Sequence, residues 1–167
     1  MKHILILSSI LFIIYFSCQK SQDENLDQMT KLLEQQNDKL KHLLSINPIE
    51  DGKITSRFGQ RVDSLINKGI DIAVEKEADV FAVAAGKVVK VKKGREKSEN
   101  LIVIDHGDGF QTRYSNLSDI LVEANQSVKR WTVIGKIKKS ADQLTLLHYE
   151  VIEDGEPVNP EKFIFKP

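Results

Sequence analysis

The chain has 167 residues, enough for one domain with extensions, and its 41% apolar and 29% charged content is that of a globular protein. The 24 basic residues balance the 24 acidic ones, and no basic stripe with interleaved aromatics offers itself to nucleic acid. One cysteine excludes a disulfide framework and a cysteine-based zinc site.

Residues 1–18 read as a signal peptide. Lys2 and His3 give a basic start, and Ile4 to Phe16 is an apolar run too short for a comfortable membrane span. Ser17 before the lone Cys18 resembles a bacterial lipobox, with Tyr15 where Leu is usual. That resemblance implies that Cys18 becomes the lipidated first residue of the mature protein and holds it to a membrane. The alternative is an ordinary signal peptide or an uncleaved anchor, with Cys18 incidental. Each version exports the rest of the chain to the cell envelope.

Residues 19–48 read as a polar linker, from Gln19 to Asn25, overlapping a helix over about 23–45. Asp23, Glu24 and Asp27 near its start and Lys39 and His42 near its end suit the helix dipole. Leu26, Met29, Leu33, Leu40 and Leu43 follow three- and four-residue steps, a heptad seam interrupted at Gln36. The seam fits a coiled coil forming a homodimer and equally a single amphipathic spacer helix. Asn47-Pro48 ends the helix, because Pro disfavours helical backbone at the residue before it.

From Ile49 to Pro167 the pattern turns to short strands. Ile54 to Gly59, Asp71 to Val74, Asp79 to Gly86, Lys87 to Val91, Leu101 to Asp105 and Phe110 to Tyr114 are strand runs, with a hairpin signal at His106-Gly107-Asp108-Gly109. Val128 to Ile137 reads as a strand pair around Gly135, and Leu144 to Ile152 as a strand closing through Asp154-Gly155 onto Pro157-Val158. Many short strands between turns argue a mostly β domain over 49–167, an antiparallel β-sandwich or barrel-like sheet preceded by one helix.

The ordered set Ile54-Thr55-Ser56-Arg57-Phe58-Gly59-Gln60-Arg61, Gly69-Ile70-Asp71-Ile72-Ala73, Val83-Ala84-Ala85-Gly86-Lys87-Val88, Val103 to Gly109, Thr112-Arg113-Tyr114-Ser115-Asn116-Leu117 and Val158-Asn159-Pro160 resembles the lysostaphin/LytM-type zinc endopeptidases, which cut peptidoglycan cross-bridges. The resemblance covers roughly Gly52 to Phe163 and implies the family's duplicated hybrid motif, a twisted antiparallel sandwich with a groove. It also implies a zinc ion between the His and Asp of H-x-G-x-D and the second His of H-x-H, with water in the open position. Those positions here are Asn67, Asp71 and His148. Two further family His, in Y-x-H-L and at the start of H-x-H, fall on Asn116 and Leu146.

An Asn amide is a poor zinc ligand, and two ligands hold zinc weakly against water. Asp71 and His148 are therefore expected as the remnant of a zinc site, with Asp71 accepting hydrogen bonds in a turn and His148 paired to it. No cofactor is expected beyond weakly held zinc, and no catalytic residue. Leu146 is expected beside Asp71 and His148 as an apolar floor. Lys138 to Gln143 replaces the family's Gly-rich turn. His106 stands where the family often carries a His that is not a ligand.

The resemblance implies first a catalytically degenerate binding or regulatory module associated with peptidoglycan, such as an activator of a cell-wall hydrolase. The alternatives are an active zinc endopeptidase with an atypical metal site and a structural adaptor lipoprotein. Zinc content and hydrolysis of sacculi separate the first two. Capture of envelope proteins against binding to bare sacculi separates the third.

Overall fold

The computed structural model describes residues 19–33, 46–62, 65–95, 99–138 and 145–164. The signal peptide with Cys18, the seam positions Leu40 and Leu43, and Leu144 with most of the Lys138 to Gln143 replacement lie outside the described residues. The chain divides into two compact units, Met1–Lys41 and His42–Pro167.

In the first unit residues 19–33 form a helix, α1. It already includes residues 19–22, ahead of the expected start at 23, and takes in the segment expected as a linker. Gln19 to Asn25 holds no Gly or Pro to break a helix, and its Lys and Glu are good helix formers. Lys20–Glu24 and Lys31–Asp27 add ion pairs one turn apart, at 3.9 and 2.8 Å. Leu26, Met29 and Leu33 are exposed, like the rest of residues 19–33.

The second unit is built from antiparallel strands. They are β1 (Lys53–Ser56), β2 (Arg61–Val62), β3 (Leu65–Ile66), β4 (Ile70–Val74), β5 (Ala78–Phe81), β6 (Gly86–Lys92), β7 (Leu101–Gly107), β8 (Phe110–Ser115), β9 (Asp119–Ile120), β10 (Ser127–Val128), β11 (Val133–Ile137), β12 (Thr145–Glu153) and β13 (Glu156–Val158). The large sheet runs β1-β4-β12-β8-β7-β6-β10, with β13 beside β12. A smaller sheet runs β5-β11-β9, and β2 pairs with β3 alone.

Alternation decides which face of the large sheet is buried. Ile70, Ile72 and Val74 of β4 are buried while Asp71 and Ala73 are not. Leu147, Tyr149 and Val151 of β12 point inward, and His148 and Glu150 point out with Leu146. Phe110, Thr112 and Tyr114 complete the inner row on β8. The small sheet faces this row with Val80, Ile134 and Ile137, and the Val83 N–H reaches the Tyr114 hydroxyl at 3.3 Å. Fully burying each of these branched or aromatic side chains is worth about 1.5–3 kcal/mol. The sandwich class expected from the sequence is the fold observed.

Two expected local pairings differ. Val128 to Ile137 is not a strand pair: β10 joins β6 in the large sheet and β11 sits between β5 and β9 in the small one. The turn between them, with Trp131 in a left-handed conformation, moves the chain from one sheet to the other. Asp79 to Gly86 likewise splits, because the chain bends over residues 83–85 and leaves the small sheet for the large one.

Candidate functional site

The site is the outer face of β4 and β12 where these two central strands pair. Register sets His148 opposite Asp71 and Leu146 opposite Ala73. Gly69, just before β4, lets the chain pass against β12: a Cβ there would overlap the Tyr149 carbonyl oxygen. That close approach puts Asn67 within reach of the β4 carboxylate.

The side chains form one continuous chain of polar contacts. The Asn67 amide nitrogen donates to Ser56 Oγ at 2.9 Å and to Asp71 Oδ2 at 3.2 Å. Its amide oxygen accepts the Gly69 N–H at 2.9 Å. The amide orientation is forced, since a backbone N–H only donates and a carboxylate only accepts. The other Asp71 oxygen lies 2.7 Å from His148 Nδ1, and His148 Nε2 lies 3.1 Å from Glu150 Oε1. Arg113, opposite Glu150 on β8, donates to Glu150 Oε2 at 3.4 Å.

With a carboxylate on each ring nitrogen, His148 is an imidazolium donating in both directions. Burial of the ring disfavours its charge, but the hydrogen bonds and charges of Asp71 and Glu150 outweigh that and push it up to about 9. Burial likewise raises Glu150, yet bonding to His148, with help from Arg113, leaves its pKa lowered.

These donors do not fit zinc. Asn67 turns an N–H toward Asp71, and both His148 nitrogens are taken by carboxylates. Among the described residues no group of three His, Cys, Asp or Glu is arranged to hold a metal ion. A protonated imidazole supplies the positive charge between the carboxylates. Asp71 lies inside β4 rather than in the expected turn, and the hydrogen bonds its side chain makes are to side chains.

A groove of about 320 Å³ opens over this network, lined by Asn67, Asp71, His148 and Glu150. Its apolar wall comes from Leu65 and Ile66 of β3, 75% and 60% exposed, with Lys68 beside them. Leu146 does not line it, which corrects the expected apolar floor. Opposite Ala73, it sits two residues up the strand from the groove. Asn116 is just past β8 in a left-handed conformation, φ 66°, outside both the network and the groove lining. His106 is off the groove: Nδ1 is 2.9 Å from the Ala85 carbonyl and Nε2 2.7 Å from Thr112 Oγ1.

Sequence reasoning missed Ser56, Arg113 and the β3 wall. Glu150 was legible as the next outward residue after His148. Arg113 depends on the β8–β12 register, and Leu65-Ile66 is too short a run to carry a pattern.

The chain is similar to known proteins in sequence and fold. The chain is 34% identical over 114 residues to the murein hydrolase activator NlpD of Salmonella dublin, covering 68% of this chain and 30% of that protein. It is 38% identical over 107 residues to stage II sporulation protein Q of Bacillus subtilis, covering 61% and 38%. It thus spans about a third of the length of these curated relatives. A chain in the solved SpoIIQ–SpoIIIAH pore-forming complex superposes with a TM-score of 0.64 at 30% identity, covering 74% of this chain and 92% of that one. Residues 65–160, more than half of the chain, match Peptidase family M23, and the protein belongs to that family as a degenerate member.

Proposed function

We propose that this chain is a catalytically degenerate M23 domain of the cell envelope that acts as a peptidoglycan-associated binding or regulatory module, its specific role being to activate a cell-wall hydrolase. The observation that carries the reading is the bonded network Asn67–Asp71–His148–Glu150. A site that must hold zinc and activate water needs free imidazole nitrogens and an open coordination position. Here each imidazole nitrogen is bonded to a carboxylate. Asp71 and His148 are read as the remnant of the ligand set, with Asn67, Asn116 and Leu146 in place of the family's His.

The name of the NlpD relative, a murein hydrolase activator, supports the role, and the SpoIIQ–SpoIIIAH complex supports a protein partner. An open groove with exposed Leu65 and Ile66 suits gripping an apolar side chain of that partner. The lipidated Cys18 would keep the module at the membrane. No helix among the described residues is long and apolar enough to cross one.

The test is dye release from labelled sacculi by purified cell-wall amidases, with and without the protein. The expected result is no release by the protein alone and severalfold faster release by a cognate amidase in its presence. Ile66→Asp should reduce that stimulation without changing the fold. Release by the protein alone, abolished by a chelator, would overturn the reading in favour of an active zinc peptidase.

A further inference from the structure

Trp131 is the single tryptophan of the chain and is 50% exposed. Its φ of 67° is a left-handed conformation that bulky side chains rarely adopt. The surroundings impose it. The Trp131 N–H donates to the Ala82 carbonyl and the Ala82 N–H to the Thr132 carbonyl, both at 2.9 Å. The Lys129 N–H donates to the Thr132 hydroxyl at 3.0 Å, and the indole and the Phe81 ring pack in a T-shape at 5.7 Å between ring centres. Strain held in place by this many partners marks positions where a side chain's placement matters.

The turn that carries the indole is basic, while Asp105 on β7 lies opposite Lys87 in the register. Lys129 and Arg130 precede it in the same turn and are exposed. Ser127 pairs with Lys87, so the exposed Lys87 lies across from β10, while the same register carries the exposed Lys90 on toward the Glu123–Gln126 turn, away from Trp131. None of these four cations makes an ion pair with a described residue, whereas Lys53, Lys92, Lys136 and Lys138 do. From Gly86 to Arg95 there are five cations and no carboxylate, and Glu123 is the only acid from Ile120 to Gly135. Val89, 47% exposed, lies between Lys87 and Lys90. This edge is far along the sheet from the groove, since β10 and β1 are its opposite ends.

We propose that the turn Val128–Thr132 and the adjoining β6 edge rest on an anionic phospholipid surface, independently of the groove. The indole would enter the headgroup boundary, where a ring with one apolar and one polar side is at home. Lys129 and Arg130, with Lys87 further along the edge, would meet the lipid phosphates with their stems against the apolar boundary. Unpaired cations spread along an edge suit the diffuse charge of a bilayer better than one partner carboxylate.

Trp131 is its own reporter. The full chain is reconstituted in phosphatidylcholine vesicles with or without phosphatidylglycerol, each containing brominated lipid, and tryptophan emission is recorded. The expected result is a blue shift and severalfold stronger quenching in the anionic vesicles, both reversed by high salt. Lys129→Glu with Arg130→Glu should abolish them with an unchanged circular-dichroism spectrum. The milder Lys129→Gln with Arg130→Gln should reduce them. Equal quenching in both vesicle types, indifference to salt, or a shift produced by purified peptidoglycan and not by anionic vesicles would overturn the proposal. Amidase stimulation reads the groove and not this edge, so the two proposals fail separately.

Discussion

His148 is held between two carboxylates, Asp71 and Glu150. Its pKa is raised from 6.5 to about 9, so the stabilisation it brings is complete below about 6.5 and lost as pH climbs to 9. At 1.36 kcal/mol per unit the full amount is on the order of 3 kcal/mol, shared with its carboxylate partners. Glu150 is lowered, so its share is present above about 4.5 and lost as pH falls through its folded value. Burial lowers His106, so below 6.5 the unfolded ring takes a proton that the folded one refuses, and stability falls there too. Urea unfolding should therefore show maximum stability near pH 6–7 with an alkaline decline to pH 9, and His148→Gln should remove that decline. A decline unchanged in His148→Gln would place the responsible group elsewhere. Asn67→His tests the complementary point. It adds an imidazole facing Asp71 and should raise zinc content, yet sacculi should stay uncut because Leu146 and Asn116 cannot polarise a carbonyl or carry a proton. Zinc-dependent hydrolysis by that single variant would sink the account of the site.

At the scale of the strand, β12 separates two roles by alternation. Leu147, fully buried, should lose about 2–5 kcal/mol on truncation to Ala, measured by urea unfolding, while the outward Leu146→Ala should cost far less. Tyr149 carries a buried hydroxyl with no hydrogen-bond partner among the described residues, tilted against Tyr114 at 5.3 Å. Tyr149→Phe should thus be neutral or add up to about 1 kcal/mol, and a marked loss would reveal a partner for that oxygen. The alternation in β4 and β12 was legible in the sequence because a period of two survives in any strand buried on one face, whereas the pairing of Asp71 with His148 was expected only from the resemblance to the family's motifs. What was not legible depends on distant partners. Whether β10 and β11 pair is decided by Trp131's left-handed turn and by Ala82, some fifty residues earlier in the chain. The groove's apolar wall rests on Leu65 and Ile66, a two-residue strand whose only strand partner among the described residues is β2. Leu146 was misplaced for the same reason: its face was readable, but how far along that face the groove extends was not.

At the scale of the molecule, the question is where the independent folding unit begins. Among the described residues every strand pairing lies after residue 46, and the second compact unit starts at His42. A boundary at 48/49 would cut through contacts that belong to the β unit. Ile46 and Ile49 are 5% and 1% exposed, Ile49 bridges to Val80, and the Phe81 N–H donates to the Pro48 carbonyl at 2.8 Å. A chain starting at residue 42 should therefore unfold in one cooperative transition with a midpoint close to that of the chain starting at 19. A chain starting at residue 50 loses two buried isoleucines and the strap across β5. At about 2–5 kcal/mol for each buried Ile, the loss approaches the whole stability of a domain, about 5–15 kcal/mol. It should melt far lower or show no transition at all. Calorimetry on the three chains decides it. Equal melting of the chains starting at 42 and 50 would mean that Ile46 and Ile49 contribute little. Loss of the transition on removing only residues 19–41 would mean that α1 is part of the fold it precedes.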